Sequence, residues 1–271
     1  MSVKYAIELG SVQITLLLPL WGRACETLKK HPRIVDRKAC EIITKIDYDF
    51  SKIAAKIKYI SQLEWIARSI HIDRTIREFV SRYPEATIVN IGCGLDTTFD
   101  RVDNGRLFWY DLDLPDVIDL RRKFIPEIGR RTFISASFLD KSWFRRIHPS
   151  EHVLFMAAGV LYYFGENEVR EIFNNLSAAF PESEFVFDAA SPFGVKLANR
   201  KIIRSIGLGE QSCLKWGLEK ASDIVKWNGS IEVVGEYPVY RGMTKGLGLK
   251  DRYLAFIADR HRIMFMVHLR M

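Results

Sequence analysis

Three observations predict a doubly wound α/β fold built on a mostly parallel sheet. The first is the stretch Thr87–Asp113, TIVNIGCGLDTTFDRVDNGRLFWYDLD, in which an apolar run enters Gly92-Cys93-Gly94 and a second apolar run ends at Asp111 and Asp113. The second is the alternation that follows, short apolar runs separated by helical patterns, which implies parallel strands joined by right-handed crossovers. The third is the C-terminal region, where Ser230–Tyr240 and Arg262–Leu269 read as two strands closing one edge of the sheet as an antiparallel pair.

The elements follow in order. Residues 11–80 read mostly as helix, and Leu63, Ile66, Ala67, Ile70, Ile72, Ile76, Phe79 and Val80 form one apolar stripe at helical spacing. Strands are expected at Thr87–Ile91, Leu107–Tyr110, Thr132–Ser135, Val153–Ala157 and Phe185–Asp188. Helices are expected at Pro115–Phe124, Ser142–Ile147 and Glu166–Phe180, the last with Val169, Ile172, Phe173, Leu176 and Phe180 on one side. Residues Phe193–Trp227 interrupt the alternation with a Lys-rich helical insertion, which at that place would stand above the carboxyl ends of the strands. The expected organisation is one domain over 1–271, with 1–84 as a helical lid, 85–271 as the α/β core and an insertion at about 193–227.

The spacing within Thr87–Asp113 carries the chemistry. A glycine turn after a first strand lets the backbone approach a nucleotide, and an acid about 20 residues on can bind both ribose hydroxyls. Asp111 and Asp113 stand 19 and 21 residues after Gly92. A dinucleotide site also wants a third glycine, so that pyrophosphate can rest on a helix N-terminus. Here Leu95-Asp96-Thr97-Thr98 follows Gly94, so that glycine is missing and Asp96 places negative charge where a diphosphate would lie. S-adenosylmethionine has no phosphate, and its sulfonium and amino groups are cationic. The residues therefore favour that cofactor over NAD, and an NAD-linked oxidoreductase is the first rival reading.

Bulk properties narrow the class. Hydrophobic residues make up 48% and charged residues 27% of the 271, the balance of a globular protein with a large core. No apolar run approaches the roughly 20 residues that span a bilayer. The early segment Ile14–Trp21 is short, contains Pro19 and lacks a basic leader, so a cytoplasmic protein without membrane contact is expected. Cys25, Cys40, Cys93 and Cys213 show no C-x-x-C spacing, so no metal is expected. The net charge of +7 raises the question of nucleic acid, and an RNA methyltransferase is a further rival. No zinc spacing, RGG tract or basic aromatic helix supports it, and a solvated basic face with a small anionic partner is the expectation. A second copy of the chain, in a homodimer, is compatible with the sequence.

VNIGCGLDTTFDR, WYDLDLPDVIDLRR and AAGVLYYF together resemble the motifs of the leucine carboxyl methyltransferase family. More narrowly they are similar to its bacterial-type branch, the tetracenomycin polyketide synthesis O-methyltransferases. ITLLLPLWGRACE, IARSIHIDRTIREF and FDAASPFG extend the resemblance over nearly the whole chain. It implies a Rossmann-like class I methyltransferase sheet that binds S-adenosyl-L-methionine and methylates an oxygen, carboxylate or phenol/enol, of a small molecule. By matching motifs, Arg68 is similar to an arginine that holds the cofactor's carboxylate, a group a guanidinium grips bidentately. Gly92, Cys93 and Gly94 would approach the methionine part. Asp113, then Asp111, would bind the ribose.

Two departures from the family pattern bear on activity. Ser137 and Phe138 stand where an acid often meets the adenine amino group, and Ala158 stands where many members carry glutamate. A non-catalytic S-adenosylmethionine-binding homologue is the rival that these losses suggest. No acid–base residue is assigned; Tyr162 and Tyr163, after the fourth strand, are the candidates for contact with the acceptor. His148 and His152 flank the far end of that strand and read as structural.

Overall fold

The computed structural model describes residues 4–6, 16–148, 151–200 and 213–271. Seven strands form the main sheet: β3 (Thr87–Ile91), β4 (Phe108–Asp113), β5 (Arg131–Ser135), β6 (Val153–Ala157), β7 (Glu184–Ala189), β8 (Glu232–Pro238) and β9 (Phe265–Arg270). Their order is β5-β4-β3-β6-β7-β9-β8. The first five are parallel, and β9 runs antiparallel to both β7 and β8. This is the expected mostly parallel sheet with its antiparallel C-terminal edge. The short strands β1 (Tyr5–Ala6) and β2 (Ile46–Asp47) pair apart from it.

Side-chain alternation distributes the core over both faces. Val89, Ile91, Phe155, Ala157, Phe185 and Phe187 point to one face and pack against Val169, Ile172, Phe173 and Leu176 of the helix Glu166–Ala179. Ile88, Trp109, Leu154, Met156 and Val186 point to the other and meet Ile72, Ile76, Phe79 and Val80. Both faces of β3 and β6 are buried, which is why these strands read as continuous apolar runs.

Helices α1 (Leu17–Thr27), α2 (Arg37–Lys45), α3 (Ser51–Lys56) and α4 (Tyr59–Arg82) precede β3. The stripe from Leu63 to Val80 belongs to the single long helix α4. Helix α5 (Thr98–Val102) follows the glycine turn, and α6 (Pro115–Arg122) begins on Pro115, whose missing N–H costs nothing at a first helical position. Ser142–Ile147 forms a 3₁₀ helix, Lys141–Arg146, rather than an α-helix. Helix α7 is Glu166–Ala179.

The centre of the expected helical insertion, 201–212, lies outside the described residues. On either side of it, helix α8 covers Pro192–Ala198 with helical backbone continuing to Arg200, residues 213–221 are irregular, and α9 covers Ser222–Val225. Between β8 and β9, helix α10 (Leu249–Arg260) occupies a segment for which no helix was predicted.

Candidate active site

The strand order places a topological switch between β3 and β6: from β3 the chain winds outward through β4 to β5, and from β6 outward through β7. Crossovers diverge there, so a crevice opens beyond the carboxyl ends of the two strands. A cavity occupies this crevice. Its walls are the turn Gly92–Asp96 after β3, the segment Ala158–Tyr163 after β6, and side chains of α1 and α4.

The glycine turn is a backbone device. Gly92 has φ +63° and Gly94 φ +46°, a left-handed region that side chains disfavour. A Cβ on Gly92 would lie 2.5 Å from Val160 Cγ2, so the turn after β3 and the segment after β6 approach as closely as they do because position 92 carries none. Cys93 is buried within the turn, and burial pushes its thiol pKa well up, so it stays protonated and is no nucleophile.

Asp96 lines the cavity and accepts the Thr98 N–H at 2.8 Å. Burial alone would raise its pKa, but Arg23, Arg101 and the Thr98 N–H outweigh that and hold it below the ordinary range. The turn therefore presents a fixed negative charge, which suits a cationic ligand and opposes a diphosphate.

Arg68 reaches the opposite wall from α4. Its Nη1 lies 2.8 Å from Asp188 Oδ2 at the end of β7 and 3.4 Å from the Tyr162 hydroxyl. Asp188 also accepts the Gly159 N–H at 2.6 Å, so one buried carboxylate fixes both the arginine and the segment after β6. Tyr162 is buried, and that burial holds its hydroxyl protonated well above the ordinary range.

The structure separates the sequence-predicted site residues. Arg68, Gly92, Cys93, Gly94, Ala158, Tyr162 and Tyr163 share the cavity wall. Asp113 sits behind the glycine turn, where its carboxylate accepts the N–H groups of Gly94 (2.7 Å) and Leu114 (2.8 Å). Ser137 and Phe138 follow β5, off the cavity wall; Phe138 is buried against Phe164, with ring centroids 5.5 Å apart.

Asp111 requires a correction. It is fully buried, accepts hydrogen bonds from Asn90 (3.0 Å) and Trp109 Nε1 (2.9 Å), and pairs with Arg121 and Arg131, each at 2.9 Å. Three hydrogen-bond donors, the Arg121 charge and the absence of exposure leave a ribose no access.

Sequence reading missed Arg23, Glu64, Trp65, Ser69 and Asn90, all of which line the cavity. Glu64 and Trp65 lie in the helix already marked for Arg68, and one turn of spacing from Arg68 was the signal available for Glu64. Among the described residues no group of three or more His, Cys, Asp or Glu is arranged to hold a metal, and no helix is long and apolar enough to cross a membrane.

The family model for leucine carboxyl methyltransferase matches residues 18–177. The chain is 30% identical over 214 residues to the tetracenomycin polyketide synthesis O-methyltransferase TcmP of Streptomyces glaucescens, which covers 78% of this chain and 77% of that protein. It is 28% identical over 227 residues to the S-adenosyl-L-methionine-dependent methyltransferase dpfgK of Gibberella zeae, covering 75% of this chain and 76% of that one. A solved structure of a DUF574 family protein from Streptomyces avermitilis shares the fold, with a TM-score of 0.59 over 92% of this chain and 96% of the other at 11% identity.

Proposed function

The chain belongs to the leucine carboxyl methyltransferase family and is an S-adenosylmethionine-dependent methyltransferase, and on that premise we propose that it methylates an oxygen of a small molecule in the cavity at the β3–β6 switch. The observation that carries this reading is the meeting of the glycine turn, with its fixed Asp96 charge, and the Arg68 guanidinium across one cavity.

These residues suit the cofactor chemically. The left-handed turn at Gly92 and Gly94 offers bare backbone, Asp96 offers a charge complementary to a sulfonium or ammonium group, and Arg68 offers a guanidinium for a carboxylate. In this reading Asp113 binds the ribose hydroxyls while keeping Gly94 in place; each carboxylate oxygen has two lone pairs, so the backbone bonds leave acceptor capacity. Ser137 and Phe138 would border the adenine and Ala158 the reacting groups. When bound, S-adenosylmethionine supplies an already activated methyl group, so the protein's task is alignment and exclusion of water.

The N-terminal segment 1–84 would serve as the lid of a single domain, because Arg23, Trp65 and Arg68 already line the cavity. Within the insertion at about 193–227, Ala198 and Leu214 contribute to the wall, and the Asn199 side chain bridges to the Leu214 backbone at 2.8 and 2.9 Å. That bridge supports reading this segment as the substrate wall. Tyr162 and Tyr163 would contact the acceptor. The small-molecule partner, the absence of nucleic acid, a cytoplasmic address and a homodimer belong to the same reading.

The test is calorimetric titration with S-adenosylhomocysteine. Micromolar binding, weakened about tenfold (about 1.4 kcal/mol) by Asp113→Ala, is the expected result. Absence of binding by the wild type overturns the assignment of the cavity.

A further inference from the structure

Glu64 lies one helical turn before Arg68 and faces the same cavity, whose lining also includes Tyr162, Tyr163 and Met264. Its Oε2 accepts a hydrogen bond from the Tyr240 hydroxyl at 3.1 Å, and Oε1 has no hydrogen-bond partner among the described residues. The Tyr240 hydroxyl is also 3.1 Å from the Ile60 carbonyl oxygen. One hydroxyl proton thus has two acceptors. With Glu64 ionised, Tyr240 donates to it; with Glu64 protonated, Tyr240 can turn its proton to Ile60 and accept from the carboxyl. The pair accommodates both protonation states without moving a heavy atom.

Arg68, the cation nearest in sequence, pairs through Nη1 with Asp188 and forms no salt bridge to Glu64 within 4.0 Å among the described residues. The charged groups facing Glu64 are Arg68 on its own helix, Asp188 on β7 and Asp259 on α10. Three other titratable groups on the wall are poorly suited to take a proton at neutral pH: Tyr162 and Cys93 are held protonated, and Asp96 is held ionised as a weak base.

We propose that Glu64 is the general base of this enzyme, poised by Tyr240 as a positioning residue, and that the acceptor is a hydroxyl of phenol or enol type rather than a carboxylate. In the step, the acceptor O–H proton passes to Glu64 Oε1. The oxygen lone pair forms the O–CH₃ bond, and the C–S bonding pair returns to sulfur, converting sulfonium to thioether. The proton then leaves Glu64 to solvent. A carboxylate acceptor needs no base, so a base at this place serves a hydroxyl acceptor. Burial lifts the Glu64 pKa to about 7, with the Arg68 charge and the Tyr240 hydrogen bond opposing it only in part. A base poised near the working pH both exists in its ionised form and accepts a proton effectively.

The proposal rests on the methyltransferase reading of the cavity, and its tests separate the two failures. S-adenosylhomocysteine should bind wild type and Glu64→Gln with affinities within about twofold; no binding by either overturns the cavity assignment and the proposal together. In the S-adenosylhomocysteine complex, infrared difference spectra between wild type and Glu64→Gln should reveal a carboxyl band that titrates near pH 7 and moves when 4-nitrophenol is added. A band indifferent to the phenol overturns the proposal, and this readout decides even where no acceptor turns over.

Methyl transfer is then measured to a panel of phenols and matched aromatic carboxylates. The expected result is turnover of phenols, with kcat lowered about 100-fold or more by Glu64→Gln at nearly constant KM, and loss of the acidic limb near pH 7. Tyr240→Phe should shift that limb to higher pH, because the lost hydrogen bond favoured the ionised form. Preference for carboxylates, or an acidic limb that survives Glu64→Gln, overturns the proposal and leaves the methyltransferase reading standing.

Discussion

Arg68 and Asp188, 120 residues apart in the chain, meet at 2.8 Å at the carboxyl end of the sheet, both with side chains almost wholly removed from solvent. The pair joins the N-terminal helix α4 to β7, and through the Gly159 N–H it also holds the segment after β6. A charge pair this deeply buried gains little net stability from being formed, but removing one partner strands the other.

That asymmetry predicts different outcomes for two substitutions. Arg68→Ala leaves Asp188 buried without its counter-ion and should cost about 3–5 kcal/mol in urea-induced unfolding. Arg68→Lys keeps a charge for Asp188 but lacks the planar fork that grips a carboxylate. It should unfold closer to wild type and still bind S-adenosylhomocysteine about tenfold more weakly by calorimetry. Equal affinity for Arg68→Lys and wild type would remove Arg68 from the cofactor contacts.

Gly92 and Gly105 separate close approach from backbone strain. Both have positive φ, +63° and +80°, but a Cβ at 92 meets Val160 at 2.5 Å whereas one at 105 meets nothing within 4 Å. Gly105→Ala should cost only the backbone penalty, about 1–2 kcal/mol. Gly92→Ala should cost that plus the displacement of Val160, and should abolish S-adenosylhomocysteine binding. Chemical denaturation and calorimetry on the two variants check the contrast.

His71 should make the protein acid-sensitive. It is 4% exposed, Arg74 Nη2 lies 2.9 Å from its Nδ1, and burial, reinforced by the Arg74 charge, lowers its pKa to about 4. The folded value lies below the unfolded value of about 6.5, so protonation favours the unfolded chain. Its contribution is complete above about pH 6.5 and is lost as pH falls towards 4, roughly 3 kcal/mol in all. Glu64 acts in the opposite sense, its raised pKa making stability fall as pH rises from 4.5 towards 7. The difference in unfolding free energy between wild type and His71→Phe, measured at pH 7.5, 5.5 and 4.5, isolates the histidine and should shift steadily against wild type as pH falls.

The elements that were legible in sequence are those whose burial matches their pattern. Thr87–Ile91 and Val153–Ala157 have the predicted bounds because every residue in each is buried. Helix α10 escaped because its pattern is inverted: Leu249, Tyr253 and Phe256 are 85%, 64% and 64% exposed, while the small Ala255 and Ala258 are buried. A reading that ranks positions by apolar bulk finds no core face there.

The sequence by itself determined the sheet, its closing antiparallel pair and the glycine turn, because these follow from local periodicity and from a backbone conformation that few residues tolerate. Only the tertiary structure distinguished the surroundings of Asp111 from those of Asp113. Both end the same strand, two residues apart, but Arg121, Arg131, Asn90 and Trp109 enclose the first, whereas the second caps the turn behind the cavity. It likewise brought Glu64 to Tyr240 across 176 residues. A carboxylate's chemistry depends on its donors and its solvation, and in this chain both are supplied by residues distant in sequence.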